Sequence, residues 1–172
     1  YLPDKWAVSI KYRNHFYKKL DLKNPQTFNE KLQWLKLHNR KPEYTTMVDK
    51  ILVKDYVASK IGQEYVAPIL GVWDNVEDID FESLPDKFVL KANHSGDNKG
   101  VVICPDKSRL DQAKARRNLK DSLKLDIYRV YREWPYKNVR KRFFAEAYLG
   151  SDLVDYKFYC FHGIPKFLYI SE

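Results

Sequence analysis

Three charged residues sit where apolar strands should exclude them. Lys91 interrupts FVLKAN, Glu146 interrupts RFFAEAYLG, and Lys157 follows Asp155 by two residues in DYKFYCFHG. The richest stretch is FVLKANHSGDNKGVVI, residues 88–103, in which two apolar runs flank a polar loop holding Gly96 and Gly100. Two readings of Lys91 stand side by side. It is either a solvent-facing residue of an edge strand, since alternation sets it apart from Leu90, or a point charge for a phosphate. In the second case the glycines let backbone N–H groups approach the anion without Cβ obstruction. The loop is neither G-x-x-x-x-G-K-[ST] nor G-x-G-x-x-G, so the two commonest nucleotide fingerprints are absent. Asp155 and Lys157, two apart, share one face of a strand that ends at a glycine turn.

Metal and thiol chemistry find less support. Cys104 and Cys160 fit no metal spacing and read as two reduced core thiols of a cytosolic protein. His15, His38, His94 and His162 form no HxxH or HExxH pair, which argues against structural zinc. DID at residues 78–80 has the form of the D-x-D metal motif of sugar-transferring enzymes, but it lies in an acidic connecting stretch.

The 172 residues are 44% hydrophobic and 15% aromatic, enough to bury a sizeable core. No apolar run approaches the roughly 20 residues that cross a bilayer, and YLPDKWAVSIKYRNHFYKKL is too polar for a secretory signal. The location expected is cytoplasmic. The chain opens on Tyr1 rather than Met, and reads as trimmed. The formal net charge of +8 is uneven: residues 107–142 hold thirteen Lys/Arg against four Asp/Glu, and the rest holds eighteen against nineteen. An anionic partner near that segment is one reading, a solvated basic helix face the other.

The positioning elements follow from local signals. NPQTFNEKLQWLKLHNR opens a helix with Thr27 and Glu30 at capping-box spacing. A second helix is expected through TTMVDKILVKDYVASKIG, with Thr46 as N-cap and Gly62 as its stop. YVAPILGVW reads as a short strand broken by Pro68. FVLKAN and GVVIC pair as an antiparallel hairpin. A long basic helix is expected from Ser108 to about Tyr131, ended by Pro135, followed by a strand in RFFAEAYLG and a hairpin in DYKFYCFHGIPKFLYIS that turns at His162–Gly163. The fold class is mixed α/β (α+β) with antiparallel hairpins behind a helical N-terminal region.

Taken in order, the D-K pair Asp49-Lys50, the lysine strand before a small-residue loop, the Glu146 strand and the D-x-K hairpin resemble the ATP-grasp superfamily. The closer resemblance is to its TupA-like branch, associated with teichuronopeptide and other surface-polysaccharide synthesis. NPQTFNEKLQWLKL, VDKILVKDYV, FVLKANH, REWPYKN and DYKFYCFHGIPKF carry it, from about residue 24 to the end. The resemblance implies three segments: a helical and α/β region over 1–80, a small subdomain with the glycine loop and basic helix over 81–142, and the first strands of a further subdomain over 143–172. It implies that Lys50 and Lys91 contact nucleotide phosphates, and that Ser95 to Gly100, with Gly96 between them, is the loop that folds over those phosphates. Glu146 matches the acid at the adenine hinge, with the backbone of Tyr148 and Leu149 pairing with the base. Asp152 falls near the position that holds the ribose, and Lys157 at one that neutralises the γ-phosphate. Arg129, Arg132, Lys137 and Arg140 are candidates to hold an anionic acceptor.

The activity so implied is ATP-dependent amide formation between a carboxylate and an amine, through an acyl phosphate. ATP and Mg²⁺ are its cofactors, and an anionic glycan or an amino acid its acceptor, with no nucleic acid among the partners. The chain departs from the pattern in two ways. Family members hold Mg²⁺ through acidic and amide residues on later strands, and no metal ligand is placed among residues 1–172; the chain reads as a piece whose metal and catalytic end lies beyond Glu172. Asp97 also brings a negative charge into the loop, where beside Asn98 it reads as a turn residue. Two other readings stay open: a non-catalytic polyanion-binding module built on the basic segment, with aromatics interleaved among its arginines, and a sugar-transferring enzyme.

Overall fold

The computed structural model describes residues 2–95 and 99–171. The chain begins with α1 (Asp4–Phe16), which stops where Tyr17 takes a left-handed conformation and its N–H donates to the Arg13 carbonyl. The expected capping box opens α2 (Phe28–His38): the Glu30 N–H donates to Thr27 Oγ1 at 3.3 Å, and Glu30 Oε2 accepts the Thr27 N–H at 2.9 Å. Val8, Tyr12 and Leu20, with Phe16, Leu22 and Leu37, form a small core between these helices. Asp4 ties them to the later chain, holding Arg40 at 2.7 Å and accepting from the Tyr128 hydroxyl at 3.0 Å.

The second helix is two helices. α3 (Glu43–Val48) ends at Asp49 in an extended conformation, and α4 (Leu52–Ile61) follows. Asp49 Oδ1 accepts the N–H of Ile51 at 2.9 Å and of Leu52 at 3.3 Å. A buried aspartate that bonds the next backbone N–H groups restarts the helix instead of continuing it. Thr46 therefore lies inside α3 and caps nothing. Gly62 does end α4, at φ 111°.

Four strands form one antiparallel sheet: β1 (Ile69–Trp73), β2 (Phe88–Ala92), β3 (Val101–Cys104) and β4 (Phe143–Ala147), in the order β1-β4-β2-β3. All three segments distinguished in the sequence contribute to it. Its covered face carries Phe88, Leu90 and Ala92 from β2 and Phe143 and Ala145 from β4, packed with Val76, Ile79, Phe81, Leu84 and the helix residues Ala115 and Leu119. Phe88 and Leu90 are fully buried, each such side chain stabilising by about 1.5–3 kcal/mol relative to exposure.

The long basic helix is also divided. α5 (Gln112–Ser122) is capped by Asp111, and α6 (Ile127–Tyr131) by Asp126, whose carboxylate accepts the Arg129 N–H at 2.9 Å. Arg132 in a left-handed conformation closes α6 ahead of Pro135, which instead lies in a short 3₁₀ turn over Trp134–Asn138. The last element is a separate hairpin, β5 (Asp155–Phe161) and β6 (Ile164–Ser171). His162 at φ 52° and Gly163 at φ 76° supply the two positive dihedrals that a tight hairpin turn requires. Every strand residue of this hairpin except Ser171 is exposed. Cys104 is a buried thiol as expected; Cys160, on β5, is exposed and so is not a core residue here.

Candidate functional site

β2 is an inner strand, flanked by β4 and β3, so Lys91 is not an edge residue. Alternation along β2 sends Phe88, Leu90 and Ala92 to the core and Val89 and Lys91 to the other face. Across the β2–β4 ladder Glu146 stands opposite Val89, which places it on the face of Lys91 and diagonal to it. The two side chains form an ion pair, and the other Glu146 oxygen binds Lys54 Nζ at 2.8 Å. Lys54 projects from α4 and also donates to the Ala67 carbonyl at 2.7 Å. Burial pushes the Glu146 carboxyl up, but the hydrogen bonds and charges of Lys54 and Lys91 outweigh it, and its pKa lies below the ordinary value of 4.5. Glu146 is therefore a carboxylate held between two ammonium groups.

Lys50, just before α4, reaches the carbonyl of Ser95 at the root of the glycine loop, and its own N–H donates to the Asn93 carbonyl at 3.2 Å. The two segments are fixed to each other by a buried polar knot. Asn93 Nδ2 donates to Asp49 Oδ2 and to the Arg140 carbonyl, both at 2.9 Å, while Asn93 Oδ1 accepts the Arg142 N–H at 2.8 Å. Asn93 is wholly buried and Asp49 nearly so, so each bond made here avoids leaving a desolvated group unpaired. His94 is buried beside the knot, its Nε2 3.3 Å from the Ser122 carbonyl. Burial holds the imidazole pKa below its usual value of 6.5.

Gly100 has a packing reason for being glycine. At φ 75° a Cβ would stand 2.6 Å from Ser122 Cβ, and the Gly100 N–H donates to Asn118 Oδ1 at 2.9 Å. The end of the loop is thus clamped on α5. Gly96, with Asp97 and Asn98, lies outside the described residues. Ser95 is buried and its hydroxyl donates to the Lys99 carbonyl, inside the loop itself.

The remaining candidates form no ion pair with Glu146 among the described residues, although the Arg140 carbonyl belongs to the knot. Tyr148 is half-buried and Leu149 exposed just after β4. Asp152 is exposed and accepts from the Ser151 hydroxyl at 2.9 Å. Lys157 finds its partners within the hairpin: Asp155 at 3.5 Å and the Tyr169 ring at 5.6 Å. Of the four acceptor candidates, Arg129 pairs with Asp126 and Arg140 with Asp74, while Lys137 lies over the Tyr128 ring. Arg132 is turned inward, its Nη2 donating to the Leu2 carbonyl at 3.2 Å with Asp4 nearby, so it is not displayed to a ligand in this arrangement. Sequence reasoning missed Lys54 and Asn93.

The basic segment spends much of its charge internally. Arg116 donates to the carbonyls of Val76 and Ile79, Lys107 to that of Leu84, and Lys141 to that of Leu123. Lys120 pairs with Glu77 and Lys124 with Asp121. DID is likewise structural, with Asp80 Oδ1 accepting the N–H groups of Glu82 and Ser83.

Lys54 and Lys91 thus arrive from two segments on either side of β1 and meet at one carboxylate, with Lys50 at the root of the adjoining loop, an excess of positive charge suited to a phosphate-bearing ligand. For a divalent cation the fit fails: among the described residues no three His, Cys, Asp or Glu side chains come together. No described helix is long and apolar enough to cross a membrane. Searches of curated proteins and of solved structures found no match. A family profile described as TupA-like ATPgrasp matches residues 30–171, a stretch that takes in the lysines, Glu146, the Asp49–Asn93 knot and the hairpin alike. With most of the chain so matched, this protein belongs to the TupA-like ATP-grasp family.

Proposed function

We propose that this chain carries the nucleotide-binding part of an ATP-dependent carboxylate–amine ligase that acts on a surface-polymer substrate. The observation that carries the reading is the convergence of Lys54 and Lys91 on Glu146, with Lys50 at the root of the adjoining loop. In such a reaction a carboxylate oxygen attacks the γ-phosphorus and ADP leaves. The amine then attacks the acyl carbon, phosphate departs, and the amine's proton is lost to solvent or a base. Phosphoryl transfer asks chiefly for placed positive charge. In this reading Lys91 and Lys50 bind phosphate oxygens, and Lys54 keeps Glu146 ionised and in place. Glu146, its pKa depressed, is an acceptor for an amino group such as that of adenine. Tyr148, Leu149, Asp152 and Lys157 contribute to the nucleotide site once the hairpin is seated against it, and Arg129, Lys137 and Arg140 face the acceptor. Magnesium would screen the phosphates when bound.

The test is calorimetric titration of ATP into this chain, with Lys91→Ala and Lys54→Ala beside it. Binding is expected, accompanied by stabilisation of about 2.7 kcal/mol at a hundredfold excess over Kd, and is lost in Lys91→Ala. Equal affinity in the wild type and Lys91→Ala would overturn the placement of the phosphates.

A further inference from the structure

Helix α1 carries two apolar faces, and the core takes only one of them. Val8 and Tyr12 are buried in the small core with Leu20. At about 3.6 residues per turn, Trp6, Ile10, Arg13 and Tyr17 fall on the opposite side, each one turn beyond the last. Trp6 is 63% exposed, Ile10 46% and Tyr17 91%. Single exposed apolar residues are ordinary, but a contiguous stripe marks a contact surface.

The surroundings of the stripe say what it contacts. Residues 4–23 hold six Lys/Arg against Asp4 and Asp21. Both carboxylates are committed within the fold. Asp4 pairs with Arg40 and Arg132, and Asp21 accepts the N–H groups of Asn24 and Lys23 at 3.0 and 2.8 Å. Those hydrogen bonds, then the charges of Lys23 and Lys19, hold the Asp21 pKa below its usual 3.8. Lys5, Arg13 and Lys18 are left without a carboxylate partner among the described residues. A hollow of about 840 Å³ is lined by Lys5, Trp6, Ile10, Arg13 and Lys19, so cations and apolar side chains share one concavity.

We infer that this face of α1 docks on an anionic lipid bilayer. Trp6, Ile10 and Tyr17 enter the headgroup region, while Lys5, Arg13, Lys18 and Lys19 meet lipid phosphates. Charge complementarity argues for this occupant, because interfacial helices set Trp and aliphatic residues beside Lys and Arg. Indole and phenol rings favour the headgroup level. Val8 and Tyr12 hold α1 to the body, so only the outward side chains enter and the attachment is shallow. A single-stranded nucleic acid is less suited, because such strands are gripped by aromatics at successive base positions. Here Ile10 and Arg13 stand between Trp6 and Tyr17. The residues that carry the surface precede residue 30, where the stretch matched to the family begins, so membership does not assign it. The inference goes beyond the proposed ligase activity and does not depend on the nucleotide site.

The experiment is co-sedimentation of the 172-residue chain with phosphatidylglycerol vesicles at low and high salt, beside phosphatidylcholine vesicles. Binding is expected to the anionic vesicles alone and to weaken with salt, which screens the surface potential. Trp6→Ala, a change at an exposed site, is expected to weaken binding about tenfold, and Lys5→Glu combined with Lys19→Glu to abolish it. Anionic vesicles with brominated acyl chains should quench tryptophan fluorescence. Loss of that quenching in Trp6→Phe singles out Trp6 among the four tryptophans. The exposed β5–β6 hairpin is the competing route to a membrane, so Phe158→Ser is expected to leave binding intact, as is Lys91→Ala. Circular dichroism checks that each variant is folded. The inference fails if the anionic vesicles do not bind, if neutral vesicles bind equally, or if Trp6→Ala has no effect. Loss of binding in folded Phe158→Ser would move the membrane contact to the hairpin. Displacement of the vesicles by an oligothymidylate or tetragalacturonate at lower charge concentration would assign the surface to a soluble polyanion instead.

Discussion

Glu146 owes its charge to its neighbours. Its side chain is 11% exposed and that of Lys54 14%, so removing the carboxylate strands an ammonium group that solvent reaches poorly. Glu146→Gln should cost about 1–3 kcal/mol near pH 7. The sign with pH follows from linkage. The folded-state pKa is depressed below the ordinary 4.5, so the unfolded chain binds its proton first as acid is added. The stabilisation is complete above 4.5 and is lost as pH falls below it, through the folded value. Urea unfolding of both proteins should show a gap that narrows below pH 4.5, and a gap unchanged down to pH 3 would assign the loss to packing instead. Lys91 and Glu146 were legible in the sequence because a charge inside an apolar strand is conspicuous. Lys54 was not, because helix α4 carries several charges, and only its contacts with Glu146 and the Ala67 carbonyl show which of them turns inward.

At the scale of elements, legibility tracked how local each signal was. The Thr27–Glu30 box and the His162–Gly163 turn depend on three or four consecutive residues, and both are as expected. The breaks at Asp49 and at 123–126 are not local. TTMVDKILVKDYV offers no glycine or proline to mark a break, and the distant Asn93, in the buried knot, holds the Asp49 carboxylate that bonds the Ile51 and Leu52 N–H groups. Asp49 thus does two jobs, capping α4 and anchoring the residue that follows β2. Asp49→Ala removes the cap and leaves Asn93 Nδ2 short of one acceptor, a loss of about 2–4 kcal/mol in all. Asp49→Asn keeps an oxygen for the cap and should recover part of it. Thermal or chemical unfolding of the two variants checks this, and equal destabilisation by both would mean that the negative charge near Arg142, 3.8 Å away, matters more than the cap.

For the whole molecule, the composition gave the charge but not its deployment. The segment richest in lysine and arginine turns many of them onto carbonyls and carboxylates of its own body and of the segments packed on it. The sharpest contrast between regions is the β5–β6 hairpin. Its register puts Tyr156 beside Ile170 and Phe158 beside Leu168 on one face, and Lys157 beside Tyr169 and Tyr159 beside Phe167 on the other. The first face carries Phe158, Leu168 and Ile170 beside Tyr156, yet Phe158 is 62% exposed and Ile170 51%. Two strands with no layer packed against them are marginally stable in water, whereas β2 and β4 share a closed core. The same alternation suggests a division of labour, with the Tyr156–Leu168 face built to be covered and the Lys157–Tyr169 face suited to a ligand. Amide hydrogen exchange should therefore divide this chain in two: residues 155–171 exchanging near unprotected rates, and Leu90 and Ala145 protected by orders of magnitude. Addition of ATP, on the proposed reading, should slow exchange on the Lys157 strand if the hairpin closes against the nucleotide. Protection of the hairpin equal to that of β2 without any ligand would show that its apolar face is already covered, by another copy of the chain or by the body of its own.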